Sequence, residues 1–269
     1  CNLAASAGVT IYQGATAETV AFSGEKFTVS LSDGSRLSSR FVVGAFGKRA
    51  NLDRQLDRKF FRARTPYLAV KYHLRASHPK DQIALHNFRH GYAGISAIED
   101  NKYCFCYLTT RRNLEEHRTL GKMEEKVLRR NPHLDRIFGE SEFLYPQPEV
   151  INQISFAPKK PVENHILCTG DAAGLITPLC GNGMAMAIHS GKLVTEALLA
   201  YFNRHQNRQL LEKEYAQVWQ QQFGQRLQTG RLVQKLFGRE ILSEITVGAL
   251  QNMPAAVRFL MRQTHGQPF

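Results

Sequence analysis

The stretch Ile166-Leu167-Cys168-Thr169-Gly170-Asp171-Ala172-Ala173-Gly174, running on through Leu175-Ile176-Thr177-Pro178-Leu179-Cys180-Gly181-Asn182-Gly183-Met184, decides how the chain is read. Ile166 to Thr169 is a short apolar and β-branched run with a turn signal behind it, which reads as a buried strand of an α/β sheet. Asp171 then falls at the carboxyl end of that strand, where ligands of such sheets bind. A carboxylate there accepts hydrogen bonds from ligand hydroxyls. Gly181 and Gly183 carry no Cβ and admit a ligand close to the backbone. From Gly183 the sequence reads as a helix through Tyr201, with Ala185, Ala187 and Gly191 expected to let it pack tightly on the sheet. Its free N–H groups and positive dipole end face the loop. Strand, carboxylate, bare loop and helix N-terminus, in that order, make a seat for a polyol and a phosphate. A plain strand–loop–helix connection is the competing reading.

This run resembles the second flavin-binding motif of the FAD-dependent oxidoreductases that share the p-hydroxybenzoate hydroxylase fold, and among them the geranylgeranyl reductase-like branch. The pattern there is Gly-Asp-Ala-Ala-Gly, a few apolar residues, Pro-Leu, Gly-x-Gly and a small-residue helix. The resemblance implies that Asp171 holds a ribityl hydroxyl of FAD and that Gly170, Ala172 and Gly174 belong to the same cofactor-binding loop. It further implies that Pro178 shapes the loop beside the isoalloxazine ring and that Gly181, Asn182, Gly183 and Met184 line the pyrophosphate and flavin side. Gly174 stands where aromatic hydroxylases carry His. A second match, Phe41-Val42-Val43-Gly44-Ala45-Phe46-Gly47-Lys48-Arg49-Ala50-Asn51-Leu52, adds Gly44 and Gly47 to the cofactor-binding set, with Phe46 where the family has Asp. Leu211 to Tyr215, Trp219, Phe223, Arg226, Leu227 and Gly230-Arg231-Leu232 are similar to the terminal helices of the reductase-like branch.

The activity implied by the resemblance is that of an FAD-dependent oxidoreductase delivering hydride to a carbon–carbon double bond of a lipid-like or other apolar small molecule, reduced by NAD(P)H or another donor. The alternatives are a class A monooxygenase hydroxylating an aromatic ring, and an inactive truncated fragment. In the family a middle sheet roofs the flavin. That makes Tyr92, Tyr103, Phe105 and Tyr107 candidate substrate-lining residues, although an aromatic stripe at strand spacing also serves as core. Cys180, in the flavin loop, is a further candidate for substrate contact, with simple packing as its alternative. No residue is assigned as a catalytic acid or base.

Such proteins open with a βαβ unit bearing G-x-G-x-x-G and an acidic residue about 20 positions on. The first half of this sequence has neither, and the expectation is that an N-terminal portion is absent and that the chain alone binds FAD poorly. A stoichiometric yellow complex of the chain would overturn that expectation. The anticipated fold is mixed α/β: an incomplete FAD-binding domain over 1–65 with an inserted β-meander, an antiparallel substrate-domain sheet over 66–156, the FAD domain resumed over 157–206, and a helical region over 207–269. Within it, Asn2 to Gly8 reads as a helix end, Val9 to Ile11 as a strand, and 17–22, 26–31 and 31–37 as a meander. Residues 67–75, 82–88, 92–98, 103–109 and 151–156 read as strands, and Leu114–Arg130 as one charged helix ending before Asn131-Pro132. Helices are expected again over Ile241–Leu250 and Ala255–Met261, after a break at Gly238.

Composition narrows the class. A chain of 269 residues with 43% hydrophobic content buries a large core, and no apolar run approaches the roughly 20 residues of a membrane span. The net charge of +12 reads as a solvated basic surface. Peripheral contact with anionic lipid is the second reading, and a cytoplasmic location is expected. No nucleic-acid motif or aromatic–basic alternation is present, so a nucleic-acid partner is not expected. The oligomeric state is open. The five cysteines form neither a metal pattern nor an even disulfide framework, and no metal site is expected. Cys104 and Cys106 alternate along a strand and point to one face, which reads as packing.

Overall fold

A computed structural model describes residues 2–63, 65–204, 207–236, 246, 248–250 and 252–265. Helix α1 (Asn2–Ser6) ends in a turn at Gly8. Residues 9–11, expected as a strand, are irregular, with Val9 and Ile11 exposed. A lone extended segment without a paired neighbour has nowhere to place its backbone groups except water.

The meander comes next as β1 (Ala17–Ser23), β2 (Lys26–Leu31) and β3 (Arg36–Ser39), antiparallel in that order. Gly24 and Glu25 both have positive φ between the paired Ser23 and Lys26, the two-residue turn whose twist suits a hairpin. Strand β4 (Val43–Gly44) returns to the main sheet, and helices α2 (Asn51–Gln55) and α3 (Lys59–Arg62) lead away from it.

The central sheet is built from β5 (Tyr67–Arg75), β6 (Ala84–Phe88), β7 (Gly91–Ala97) and β8 (Tyr103–Thr110). Helices α4 (Arg111–His117), α5 (Leu120–Lys126) and α6 (Pro132–Glu140) come next, then β9 (Glu142–Phe143) and β10 (Glu149–Ile154). The strand order is β10-β5-β8-β7-β6, with β9 also on β5. One face, with Leu68, Val70, Leu74, Ile95, Phe105 and Tyr107, packs on Met123, Val127, Leu128 and Leu134. The opposite face carries Tyr92 and Leu108, which pack with Ile154, Phe156, Leu175 and Leu179.

The single helix expected over 114–130 is broken. Arg118 takes φ +67° and closes α4, and the Thr119 side chain accepts from Lys122 N at 3.3 Å to open α5. The stretch does end before Asn131-Pro132, in a 3-10 turn over Leu128–Arg130, and the same Asn131-Pro132 opens the next helix. The Asn131 side chain accepts from His133 N at 2.9 Å, and Pro132 occupies the first turn, where its missing N–H costs nothing.

Strands β11 (Val162–Glu163) and β12 (Ile166–Cys168) complete the third sheet, in the order β11-β12-β4, with β12 parallel to β4. Two long helices close the structure, α7 (Gly183–Arg204) and α8 (Arg208–Leu236), followed by α9 (Pro254–His265). The expected break at Gly238 and most of the helix expected over 241–250 lie outside the described residues. On α7 the buried side chains are Met186, His189, Ser190 and Val194. Ala185 is exposed instead of packed on the sheet, whereas Ala187 stands at the cavity with its Cβ toward Gly170, where α7 comes close to the end of β12. Helix α8 buries Leu211, Tyr215, Trp219, Phe223 and Leu227 against β12 and the loop behind it, in one core with the meander's Phe27. No helix among the described residues is long and apolar enough to cross a membrane.

Candidate functional site

The parallel pairing sets Leu167 beside Val43 and Cys168 beside Gly44, so β4 and β12 end on the same side of the sheet. A cavity of about 470 Å³ opens at those ends. Ala45 and Gly47 line it after β4, Gly170 and Asp171 after β12, and Gly181 to Met184 at the head of α7. Gly181 has φ +61° and Gly47 φ +78°, and a Cβ at either would meet nothing within 4 Å. The backbone therefore faces open space at both positions, in a conformation side-chain-bearing residues rarely take. A 22-residue helix starts at Gly183, and its first N–H groups have no partner within the helix.

Asp171 is half-buried on the cavity wall, and its carboxylate makes no hydrogen bond or ion pair to any described residue. Burial raises its pKa, against the pull of Lys159 and Lys48. An acceptor held at the mouth of a sheet with its lone pairs unclaimed is poised for a hydroxyl donor. A polyol and diphosphate ligand such as FAD fits these residues: carboxylate for hydroxyls, bare backbone and a helix N-terminus for phosphate.

The loop is held from behind by groups that carry no motif in the sequence. Lys159 Nζ donates to Asp171 O and to Lys48 O, both at 2.7 Å, tying the two cavity edges together. Burial lowers the Lys159 pKa to about 8, with Asp53 and Asp171 acting in the opposite direction. Arg58 is buried and donates to Ala172 O at 2.7 Å, Lys160 O at 3.1 Å, Asp53 Oδ1 at 3.0 Å and Glu163 Oε2 at 3.2 Å. Ser190 Oγ accepts from Gly170 N at 2.7 Å and donates to Ala187 O at 3.0 Å, pinning the loop to α7. Gly170 has φ +56°, and a Cβ there would lie 3.3 Å from Ala187 Cβ, so strand end and helix approach closely. Such long-range partners leave little local signal in a sequence; Ser190 alone stands within the small-residue helix that carries the motif.

The anticipated site residues divide into two groups. Gly47, Gly170, Asp171, Pro178, Gly181, Asn182, Gly183 and Met184 surround the cavity. Gly44, Ala172, Gly174 and Cys180 stand behind its wall. A Cβ at Gly44 would lie 2.7 Å from Phe46 Cε1, and one at Gly174 would lie 2.8 Å from Trp219 Cη2 and 2.9 Å from Leu227 Cδ1, so packing alone demands glycine at both. Ala172 is buried with its carbonyl on Arg58. Cys180 is buried 3.5 Å from Thr177 Oγ1, under the close approach of Gly230 on α8.

Among the anticipated lining residues, Tyr92 lies on the face of the central sheet that meets Leu175 and Leu179 of the loop. Tyr103 and Phe105 lie on the other face, in the core under α5 and α6 with Tyr107. Strand alternation fixed that these three share a face, but the helices after β8 decide which face is closed.

Residues 2–223 match the family model described as FAD binding domain. Among curated proteins, conditioned medium factor receptor 1 of Dictyostelium discoideum is 31% identical over 111 residues, 39% of this chain and 20% of that protein. The uncharacterized protein MJ1520 of Methanocaldococcus jannaschii is 32% identical over 90 residues, 32% of this chain and 22% of that protein. The matches span about a fifth of the length of these curated relatives. Among solved structures, the flavin-dependent halogenase CmlS superposes with a TM-score of 0.71 at 19% identity, over 83% of this chain and 42% of CmlS. HpxO of Klebsiella pneumoniae, complexed with FAD and uric acid, superposes with a TM-score of 0.70 at 16% identity, over 93% of this chain and 66% of HpxO. These two share the fold, and the family match extends from α1 into α8, across all three sheets and the cavity between β4, β12 and α7: the chain belongs to the FAD binding domain family.

Proposed function

We propose that the chain is the flavin-holding body of an FAD-dependent oxidoreductase acting on a small apolar or aromatic molecule. The observation that carries this reading is the unclaimed Asp171 carboxylate facing the same cavity as the open backbone of Gly181 and the head of α7. In it, Asp171 accepts hydrogen bonds from the ribityl chain and the first N–H groups of α7 meet the diphosphate. Lys159 and Arg58 hold the Asp171 and Ala172 carbonyls so that the carboxylate keeps its direction. FAD, when bound, supplies the redox chemistry, and the protein supplies position and electrostatics. Tyr92, Leu108, Leu175 and Leu179 form an apolar contact between sheet and loop that keeps water from one flank of the cavity.

Within this class, two reactions compete. Reduction of a carbon–carbon double bond is favoured by the likeness of the 170–191 run to the reductase-like branch. Hydroxylation of an aromatic ring is favoured by HpxO, described as complexed with FAD and uric acid, and by PqsL of Pseudomonas aeruginosa, described as a probable FAD-dependent monooxygenase. The packing demand on Gly174 weakens its value as a reductase marker, since Trp219 and Leu227 require glycine there under either reaction.

FAD titration followed by quenching of flavin fluorescence tests the site. Asp171→Ala is expected to weaken binding by about tenfold, the loss of one or two charge-assisted hydrogen bonds, and Gly181→Val by more. Unchanged affinity in both variants refutes the site. Substrate-stimulated oxygen uptake then selects the hydroxylase, and anaerobic saturation of an alkene by the reduced protein selects the reductase.

A further inference from the structure

Helix α8 turns one face toward the 157–159 segment and the loop after β12. Gln220, Gly224, Gln228 and Arg231 recur on that face at helical spacing, beside Trp219 and Leu227. With the 157–159 segment and Gly174-Leu175 they enclose a second cavity of about 150 Å³. Its lining shares only Leu175 with the cavity at the ends of β4 and β12. Gly224 keeps it open, since a Cβ there would collide with the Gln220 amide that lies across the glycine.

The strongest polar groups on this wall are donors without partners. Trp219 is 2% exposed, and its indole Nε1–H is buried with no hydrogen bond. A Cβ at Gly174 would touch Cη2 and Cζ2 of that ring, the edge that continues to Nε1, so this edge faces the cavity wall. The Arg231 guanidinium is half-buried and makes no hydrogen bond or ion pair to any described residue. Burial lowers its pKa, with no opposing charge to offset the effect. Lys159 adds a second positive charge to the lining, its ammonium already donating to Asp171 O and Lys48 O. No Asp or Glu lines the cavity.

We propose that this cavity seats the carboxylate of a small organic acid, with Arg231 and the indole N–H of Trp219 as its donors. The proposal goes beyond the flavin reading and does not rest on it.

Tryptophan and arginine side chains donate and cannot accept, so the group that complements them is acceptor-only. Water must donate as well as accept, and it finds no acceptor on either of them. A carboxylate accepts two parallel N–H groups from a guanidinium fork and brings the charge that Arg231 lacks. The rest of the wall, Ala157, Pro158, Leu175 and Leu227, is apolar and suits a short carbon stem. The volume is about five times a water molecule's share of the liquid, which admits a carboxylate with a few carbons and excludes a nucleotide.

Trp219 is the chain's only tryptophan, so fluorescence excited beyond the tyrosine absorption reports on this cavity alone. The test titrates the full chain with butyrate, butyramide, chloride and sulfate at matched ionic strength. Butyrate is expected to give a saturable change and the neutral butyramide none. Arg231→Met is expected to weaken butyrate binding by at least about tenfold, through loss of a charge-assisted pair. Trp219→Phe keeps an aromatic ring and removes the N–H; followed by calorimetry, it is expected to weaken butyrate by about three- to tenfold. No saturable response to butyrate, an equal response to butyramide, or chloride or sulfate binding as tightly as butyrate overturns the assignment. So does an Arg231→Met protein that binds butyrate like the parent. The parent's selectivity for butyrate over butyramide decides the proposal without any variant.

Discussion

Arg58 offers the sharpest test of how the site is held. Its guanidinium is buried beside Asp53, which is fully enclosed, and also reaches Glu163, Ala172 O, Lys160 O and the Cys168 sulfur at 3.3 Å. Substituting Arg58→Met keeps most of the side-chain volume and removes every donor. Asp53 is left with a single strong partner, the Ala50 N–H at 2.7 Å, and two carbonyls lose theirs. Removing one partner of a buried ion pair costs about 3–5 kcal/mol, because the other charge remains buried and uncompensated. At about 2–4 °C per kcal/mol for a chain of this size, the melting midpoint falls by roughly 6–20 °C. Asp53→Asn removes the orphaned charge, so the double variant is expected to lose less than the sum of the singles, by at least about 1 kcal/mol. Thermal melts and urea titrations followed by far-ultraviolet circular dichroism measure all four proteins. Strict additivity, or an Arg58→Met protein melting within about 3 °C of the parent, would refute the reasoning.

Gly174→Ala forces a Cβ against Trp219 and Leu227 and is expected to cost about 1–3 kcal/mol by overpacking; a denaturation midpoint equal to the parent's contradicts it. The Lys159 pKa is lowered from 10.5 to about 8, so between those values the unfolded chain binds the extra proton and stability rises with pH, by about 3 kcal/mol at most. Lys159→Met should flatten that rise, and melts at pH 7.5 and 10 read the difference. Glu124 accepts from Tyr72 and Tyr107 at 2.7 Å, and burial raises its pKa. The stability it contributes is therefore present below the ordinary carboxyl range and lost as pH rises through the folded value. Glu124→Gln is expected to match the parent in acid and melt higher at neutral pH, and a lower neutral melting point sinks this account.

Much of this protein is legible without coordinates. The alternation in 67–75 and 103–109 marks strands and pairs the side chains that share a face, because a strand's period of two is local. Gly170-Asp171 ahead of a glycine loop and an apolar helical pattern marks a strand end that opens onto a cavity for the same reason: every part lies within some twenty residues. Local competition is harder to read. Thr119 and Asn131 are caps whose side chains compete with helix continuation, and the long charged pattern over 114–130 hides the first of them.

What only the tertiary structure decided is which side of each element is closed and who holds the loop. Both faces of β8 are rich in apolar or thiol side chains, and the helices after it choose the aromatic one, leaving Cys104 and Cys106 on the other. The sequence placed Gly44, Gly174 and Cys180 at the ligand, while packing against Phe46, Trp219 and Gly230 accounts for them where they stand. Arg58 and Lys159 reach the site from 114 and 12 positions away. Motif spacing carries information along the chain, whereas burial and desolvation depend on neighbours that only folding brings within a hydrogen bond's reach.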